Sequence, residues 1–319
     1  MEKRNMGGFA VAREWEADIA VPPELVDHLL ATQFPELAQP PPVALMGEGW
    51  DNWVYASGCR LFRFPRRRVA VPLIQREIAV LPHLVSRVPL PIPEPRWIGS
   101  PSDSYPYPFF GYVSVPGTPV AHHRLSAAHR CQSAVPLAQF LKRLHTISAE
   151  QGMVFGAGIP TLARLDIRMR LPRFYQWLET ASQNGLVTDR APFLREARAI
   201  EECPVTLIDP RVVHGDLNFK NVLVDAKGLI SGIIDWGDCH VGLPAIDLMF
   251  PIGFLTPPGQ QIFRDAYGPI DPKTWRLARF LAVYVNLIIL VSAYALGHAE
   301  DIREARWELA NIFSTTIVD

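Results

Sequence analysis

The sequence predicts an α+β protein of two lobes, a small β-rich first lobe and a larger, mainly helical second lobe. The chain has 319 residues, more than one compact core usually organises. Many of its prolines cluster at 40–42 and at 89–119, where they break regular elements. β-type patterns dominate before the second cluster and long amphipathic patterns after it. The predicted boundaries are a first lobe with an N-terminal helix over 1–112, a hinge over 113–117 and a second lobe over 118–319.

The first lobe is predicted to be a sheet with one helix against it. Leu61–Phe64 has the alternation of a half-buried strand. If its phenylalanines pack the lobe, the alternation turns Arg63 the other way, toward a cleft. A helix begins at Pro72 and carries Glu77 on its apolar side. Phe109–Val115 is a further apolar strand, which a Pro-Gly pair ends.

The second lobe is predicted to be helical with one polar hairpin. Val222–Val224 and Ile230–Ile234 are β-type segments, and Gly228 supplies the turn between them. Phe280–Leu296 is the most apolar run, and we interpret it as a buried helix, with a membrane span as the alternative. The amphipathic stretches that predict helices are Val135–Ile147, Arg168–Ala181, Pro192–Ile200, Ile262–Tyr267 and Thr274–Leu296.

Composition excludes several classes of protein. The net charge is -1, so the basic surface of a nucleic-acid-binding protein is not expected. The 4 cysteines lie far apart, which fits neither a disulfide scaffold nor a zinc ribbon. The N-terminal segment lacks the apolar core of a signal peptide. We therefore expect a cytoplasmic protein with no nucleic-acid partner and no membrane partner.

One block of polar residues, at 214–235, contains the candidate catalytic groups. His214, Asp216 and Asn221 lie beside β-type segments, and Asp235 follows 14 residues after Asn221. Phosphoryl transfer from a nucleotide needs such groups: one carboxylate to orient an acceptor hydroxyl and take its proton, and an amide oxygen with a second carboxylate to hold Mg²⁺. The competing interpretation is two turns with helix-capping aspartates, and the fixed order of the groups argues against it.

The order and spacing of these groups resemble the aminoglycoside phosphotransferase family, the small-molecule branch of the protein-kinase-like fold. The blocks are His214-Gly215-Asp216-Leu217 with Asn221, then Asp235-Trp236-Gly237, then a Gly-Leu-Pro-Ala-Ile-Asp-Leu segment that contains Asp247. The glycine after His214 and the tryptophan after Asp235 differ from protein kinases. The resemblance extends from about Val21 to Leu248 and implies a bilobal kinase-like fold.

The resemblance also implies roles for individual residues. Asp216 would be the catalytic carboxylate, with His214 and Asp247 in support, and Asn221 and Asp235 would hold Mg²⁺. The first lobe would bind ATP or GTP as phosphoryl donor. The nucleotide-binding residues would be Gly47 and Gly49 in a glycine-containing loop, Arg63 in place of the usual lysine, Glu77 as its partner, and Val113 and Val115 at the base.

The sequence leaves several acceptors open. The resemblance implies a hydroxyl of a small molecule, an aminoglycoside antibiotic first and a macrolide second, with antibiotic resistance as the role. From Thr118 onward the chain has as many basic as acidic residues, so composition indicates no acidic lobe for a polycation. A metabolite kinase for a sugar, a choline-like alcohol or a nucleoside stays open, as does a nucleotide-binding pseudo-kinase. We expect a monomer or a homodimer.

The sequence also leads to predictions for residues outside the main motifs. His145 follows a helical pattern and is interpreted as a packing or surface residue. Arg66–Arg68 is interpreted as a solvated turn, and Trp50 and Trp53 as a cover for the first lobe. A local acidic cluster that could meet an acceptor with positive charge stays open; its members would be Glu300, Asp301, Glu304 and Glu308.

Overall fold

The first lobe is built on a five-stranded antiparallel sheet in the order β1-β2-β3-β5-β4. The computed structural model describes residues 17–37, 41–49, 51–158, 166–201 and 209–315. The strands are β1 (Ala44–Glu48), β2 (Asn52–Ser57), β3 (Arg60–Pro65), β4 (Trp97–Gly99) and β5 (Phe109–Val113). Two helices flank this sheet, α1 (Pro23–Gln33) and α2 (Val71–Leu84). Trp50 lies outside the described residues.

The two faces of the sheet have different partners, and this orients Arg63. Phe62 and Phe64 of β3 are fully buried in a cluster with Phe109 and apolar residues of α1. Because side chains alternate along a strand, Arg63 projects from the opposite face. There its guanidinium meets Glu77 of α2. The structure therefore has the strand orientation that the sequence pattern predicts.

The second lobe is predominantly helical, with two small sheets. Its helices are α3 (Ala127–Gln132), α4 (Ala134–Leu144), α5 (Ala149–Val154), α6 (Ile167–Gln183), α7 (Ala191–Glu201), α8 (Ala245–Phe254), α9 (Pro257–Tyr267), α10 (Pro272–Leu296) and α11 (Ala299–Ser314). Its strands are β6 (Thr118–Pro119), β7 (Arg211–Val213), β8 (Val222–Val224), β9 (Ile230–Ile233) and β10 (His240–Gly242). This arrangement confirms the bilobal α+β prediction, and α4, α6, α7, α9, α10 and the β8–β9 hairpin agree with the predicted segments.

Helix α10 is the central helix of the second lobe. Asp271 caps its start by accepting the Thr274 N–H at 2.9 Å, and Gly297 ends it in a left-handed conformation. Helices α6, α7, α8 and α11 pack around it. Within the described part of the chain α10 alone is long and apolar enough to cross a membrane, and 72% of its most apolar window is buried in the protein. This burial is that of a core helix.

The two small sheets bring distant loops together. Strands β6, β8 and β9 form one sheet, and β7 pairs with β10 in the other. The loop over 214–221 joins β7 to β8, and the loop over 234–239 joins β9 to β10. Because β8 pairs with β9 and β7 with β10, the two loops lie side by side, and Ile234 N–H donates to Asn221 O at 2.9 Å. We call them the 214–221 loop and the 234–239 loop.

Candidate active site

Asp216 and Asn221 face each other within the 214–221 loop. Asn221 Nδ2 donates to Asp216 O at 2.9 Å and to Asp216 Oδ2 at 3.0 Å. Asn218 Nδ2 donates to the same carbonyl at 3.1 Å. These bonds fix the carboxylate of Asp216 against the loop, and they turn the amide oxygen of Asn221 away from Asp216.

Gly215 permits the tight turn before Asp216. Its φ is +85°, a conformation that costs side-chain-bearing residues energy. A Cβ at this position would lie 2.3 Å from the carbonyl oxygen of Asp238. Glycine is therefore required for two reasons, and it lets the 214–221 loop approach the 234–239 loop closely.

His214 is a neutral brace between the two loops. Its Nε2 lies 3.0 Å from Ile234 O and its Nδ1 3.3 Å from the Asp216 N–H. This pairing requires the proton on Nε2, because only that nitrogen faces an acceptor. Burial lowers the pKa of His214 below its ordinary value, although Asp247 opposes the shift. Both ring nitrogens are therefore used in hydrogen bonds that connect the two loops.

Asp247 anchors the 214–221 loop to the helical lobe. It lies in the first turn of α8, and it accepts the His214 N–H at 2.8 Å and the Gly215 N–H at 3.0 Å. His145 Nε2 lies 3.1 Å from the same carboxylate, and His145 Nδ1 lies 2.8 Å from the Tyr267 hydroxyl. Burial opposes ionisation of Asp247, but these donors outweigh it, so its pKa is lowered. Of the two interpretations of His145, packing and surface, the structure supports packing: the residue is buried against Tyr267, and it also hydrogen-bonds Asp247.

Arg63 joins the two lobes through a pair of carboxylates. Its Nη1 lies 3.0 Å from Glu77 Oε1, and its Nη2 lies 2.6 Å from Asp235 Oδ1. Glu77 also accepts the Trp236 N–H at 2.8 Å. One planar guanidinium therefore links α2 of the first lobe to the 234–239 loop of the second.

The two carboxylates beside Arg63 differ in their ionisation. Burial raises the pKa of Glu77 to about 7, although Arg63 and the Trp236 N–H oppose this shift. Burial acts the same way on Asp235, but there Arg63 outweighs it and the pKa is lowered. The side chain of Asp235 is 47% exposed, against 1% for Glu77. Asp235 is therefore the ionised group that faces the cleft.

The 234–239 loop has an unusual backbone conformation. Asp235 has a φ of 65°, which few residues other than glycine, asparagine and aspartate adopt readily. Arg76 Nη1 of α2 donates to Gly237 O at 2.6 Å. This second contact between α2 and the loop was not expected from the sequence, since Arg76 follows no apolar periodicity and adjoins Glu77 along the helix.

The glycine-containing loop between β1 and β2 is closed on itself. Gly49 N–H donates to Asn52 O at 3.0 Å, and the space beside Gly47 is open, with no atom within 4 Å of a Cβ built there. Arg66 Nη1 donates to Gly49 O at 2.9 Å, and Arg67 Nη2 lies 2.6 Å from Asp51 Oδ1. The prediction of a solvated turn at Arg66–Arg68 was wrong for its first two residues, because the loop holds both of them.

The connection between the lobes follows β5. Val113 is 40% exposed, whereas Val115 is buried, and the Ser114 N–H between them donates to Cys59 O at 2.8 Å. Gly117 has a φ of 121° and packs so closely that a Cβ would lie 2.8 Å from Val224 O. The chain then enters the β6–β8–β9 sheet of the second lobe.

The acidic residues of α11 do not form one cluster. Glu304 and Glu308 are buried: Arg130 Nη2 lies 2.6 Å from Glu304 Oε1, and Asn286 Nδ2 donates to Glu308 Oε2 at 2.8 Å. Asp301 lies 3.5 Å from Lys220 Nζ of the 214–221 loop. Glu300 is exposed, 3.7 Å from the ring of His122. The local acidic surface that the sequence left open is therefore not formed by these four residues, since Glu304 and Glu308 are buried; of the four, Asp301 is the one that pairs with the 214–221 loop.

The oxygen atoms around the cleft suit a hard divalent cation. Asn221 uses its nitrogen for Asp216, and Asp235 is ionised and half exposed. Within the described ranges, no group of three His, Cys, Asp or Glu residues could hold a metal ion by itself. A cation between Asn221 and Asp235 would therefore take its other ligands from phosphate and water, as Mg²⁺ commonly does.

Comparison with known proteins agrees with a kinase-like fold. The chain belongs to the phosphotransferase enzyme family, whose family model matches residues 43–281. It is 27% identical over 221 residues to viomycin phosphotransferase of Streptomyces vinaceus. The aligned region covers 63% of this chain and 69% of that protein.

Solved structures of similar fold extend over nearly the whole chain. The GDP complex of an aminoglycoside 2′-phosphotransferase-IIIa mutant has a TM-score of 0.66 at 23% identity, covering 92% of this chain and 99% of that one. The macrolide 2′-phosphotransferase MphH of Brachybacterium faecium has a TM-score of 0.58 at 21% identity, covering 89% and 98%. At these identities the likeness concerns the fold.

Proposed function

We propose that this phosphotransferase moves the γ-phosphoryl group of ATP or GTP to a hydroxyl of a small-molecule antibiotic, an aminoglycoside-type compound first. The observation that carries the proposal is the meeting of two pairs at one cleft, Asn221 with Asp216 and Arg63 with Asp235. It places a carboxylate, an amide oxygen and a second carboxylate on two adjoining loops, with a cation from β3 beside them. These are the groups that phosphoryl transfer requires.

In this proposal Asp216 accepts the proton of the acceptor hydroxyl. The hydroxyl oxygen bonds to the γ-phosphorus, the bond from that phosphorus to the β–γ bridging oxygen breaks, and ADP or GDP leaves. Asn221 and Asp235 would hold Mg²⁺, which neutralises the charge of the phosphates when bound. His214 and Asp247 keep the loop in place through the bonds described above.

The first lobe would bind the nucleotide. Arg63, oriented by Glu77, would contact the phosphates, and Gly47 near the end of β1 would cover them together with the following loop that contains Gly49. In this structure the Gly49 N–H is used by Asn52, so a phosphate contact there would come from other amides of the loop. Backbone groups of the hinge at Val113 and Val115 would meet the base. The lobe boundaries proposed are 1–112, 113–117 and 118–319.

The proposed acceptor is taken from the relatives of this chain. The curated relative is a viomycin phosphotransferase, and structures of similar fold include complexes with kanamycin, gentamicin and streptomycin. Asp301 lies beside the 214–221 loop, but it is mostly buried and already pairs with Lys220, so the proposal of a cationic acceptor does not depend on it. A macrolide is the second candidate, because two solved macrolide 2′-phosphotransferases share the fold at TM-scores of 0.58 and 0.57.

A donor-and-acceptor screen tests the proposal. Release of ADP or GDP is followed with ATP or GTP and a panel of viomycin, aminoglycosides, a macrolide, choline, sugars and nucleosides. Each positive product is checked by mass for one added phosphoryl group, with the Asp216→Asn variant as the control. A sugar, choline or nucleoside product would favour the metabolite kinase, and nucleotide binding without transfer to any acceptor would favour the pseudo-kinase.

A further inference from the structure

We infer that Arg66 is a positioning residue that holds the loop between β1 and β2 ready for the nucleotide phosphates. The inference rests on the proposed function, since it concerns the same nucleotide site. Arg66 follows β3 directly, and it contacts the turn between β1 and β2 at its described residues, Gly49, Asp51 and Asn52, which are the only ones meant by the name that follows. We call this segment the 49–52 loop.

Arg66 contacts the 49–52 loop at two points. Its side chain donates from Nη1 to Gly49 O at 2.9 Å, and its own backbone N–H donates to Asp51 O at 2.9 Å. One residue therefore binds both sides of the loop tip. The first of these bonds comes from a charged donor, which makes it stronger than a bond between neutral groups.

The side chain of Arg66 is itself immobilised. Its guanidinium carbon lies 4.5 Å from the ring centroid of Trp53, over the ring, and the residue is 8% exposed. A cation placed over a tryptophan ring is attracted to its face. Trp53 belongs to β2, immediately after the loop. The arginine thus connects the loop tip to the strand that follows it.

Hydrogen bonds from Tyr105 and Asp18 hold the segment that carries Arg66. Tyr105 hydroxyl donates to Pro65 O at 2.6 Å, and Asp18 N–H donates to Arg66 O at 2.8 Å. Asp18 Oδ2 also accepts the Arg68 N–H at 2.6 Å. Arg66 is therefore a rigid attachment point for the loop and not a mobile surface side chain.

This attachment has a consequence for nucleotide binding. A glycine-containing loop loses conformational entropy when a ligand orders it. If Arg66 has ordered the 49–52 loop beforehand, the nucleotide bears less of that cost and binds more tightly. Loss of the Arg66 contacts should weaken nucleotide binding without any change in the groups of the cleft itself.

Arg66→Gln and Arg68→Gln form a matched pair for the test. Both remove one positive charge from the same turn, but the Arg68 side chain is exposed. Hydrogen exchange of peptides covering the loop is measured by mass spectrometry in the nucleotide-free protein, and calorimetry gives the affinity for Mg-ATP and Mg-GTP. Thermal melts confirm folding, and Arg66→Lys serves as a milder variant that keeps the charge over Trp53 without the planar fork.

R66Q should exchange faster in the loop than R68Q and bind nucleotide about tenfold more weakly, as expected for loss of a charge-assisted bond. R66K should lie between R66Q and the wild type, and the KM for the acceptor should not change. If R66Q and R68Q show equal hydrogen exchange in the loop, the inference is overturned, whatever their nucleotide affinities. It is also overturned if the loop of R66Q exchanges faster than that of R68Q but the two variants bind nucleotide with equal affinity. A wild-type chain that binds neither nucleotide would contradict the proposed function as well.

Discussion

Arg63 of the first lobe and Asp235 of the second form an ion pair across the cleft, with Nη2 and Oδ1 separated by 2.6 Å. The second arm of the same guanidinium is held by Glu77 on α2. The lobes are therefore joined at the place where the nucleotide phosphates are proposed to bind. Entry of Mg-nucleotide would replace part of this pairing, since phosphate and carboxylate compete for one guanidinium.

Substitution of Arg63 tests this junction. Arg63→Ala should raise the nucleotide KM and lower kcat, and it should also lower the melting temperature, because the buried Glu77 carboxyl loses its ion pair and must take up a proton. Arg63→Lys should recover part of both kinetic parameters, since the charge returns without the two-armed geometry. Steady-state kinetics, with thermal melts for folding, measure both. Two variants that match the wild type would contradict a role in the cleft.

Asp216→Asn tests the catalytic carboxylate. An asparagine there still offers an oxygen to Asn221 Nδ2, so the loop should keep its shape. Transfer should fall by about 10²–10⁴-fold, the usual contribution of a general base, while nucleotide affinity by calorimetry stays near the wild-type value. Asp265→Asn on the exposed side of α9 is the control for the charge change. A D216N variant with wild-type kcat would exclude Asp216 as the base.

Asp235→Asn is the cleaner test of the proposed metal ligand. The φ of 65° suits asparagine, whereas alanine at that φ would add backbone strain. Loss of the charged oxygen should abolish the gain in nucleotide affinity that Mg²⁺ provides, because the phosphates are then poorly neutralised. Calorimetry with and without Mg²⁺ compares the two proteins. An unchanged metal dependence in D235N would mean that the cation, if bound, has other ligands.

Gly215→Ala and Gly185→Ala separate backbone strain from steric conflict. Both glycines have positive φ, 85° and 67°, but a Cβ at Gly185 meets nothing within 4 Å while one at Gly215 meets Asp238 O at 2.3 Å. G185A should cost about 1–2 kcal/mol, the cost of a left-handed non-glycine residue. G215A should cost clearly more and inactivate the enzyme. Urea unfolding of both variants gives the free energies, and equal losses would contradict the close approach of the two loops.

Glu308→Gln tests a buried carboxyl in the helical lobe. Burial, with Glu304 nearby, raises the pKa of Glu308 from 4.5 to about 8. Between these values the folded protein holds a proton that the unfolded chain has released, so the free energy of unfolding falls as pH rises. Glutamine cannot ionise and can still accept from Asn286. The difference in the free energy of unfolding between E308Q and the wild type should therefore shift in favour of E308Q from pH 4.5 toward pH 8. Above pH 8 this difference should stay constant.

Unfolding measurements across this pH range check the last prediction. Glu150→Gln removes an exposed carboxylate on α5 and is the control for the loss of one negative charge at the surface. A constant difference for E308Q would mean that Glu308 ionises normally in the folded protein.

Local patterns in the sequence were sufficient for the orientation of Arg63 and for the longer amphipathic helices α4, α6, α7, α9 and α10, but not for α3, α5, α8 and α11. Alternation along β3 gave its direction, and the helical periodicity around Glu77 placed its partner on the facing side. The order of His214, Asp216, Asn221 and Asp235 was enough to expect one site, because a hairpin between them returns the chain on itself.

Local patterns in the sequence do not predict contacts between residues that lie far apart in the chain. His145 and Asp247 are 102 residues apart in the chain, and their bond depends on how α4 packs on α8. Arg66 and Arg68 belong to one run of arginines, yet one is buried and the other exposed. That difference is set by the path of the turn after β3 and by the position of Trp53, which charge patterning does not encode.

The anchoring of the 214–221 loop by Asp247 affects how the protein should inactivate on heating. Helix α8 is buried along its whole length, and its Asp247 carboxylate holds two backbone amides of the loop. A loop fastened in this way cannot open by itself at low energy, unlike loops that fray independently of the core. Loss of activity and melting of the helical lobe should consequently be one cooperative event, observed at the same temperature.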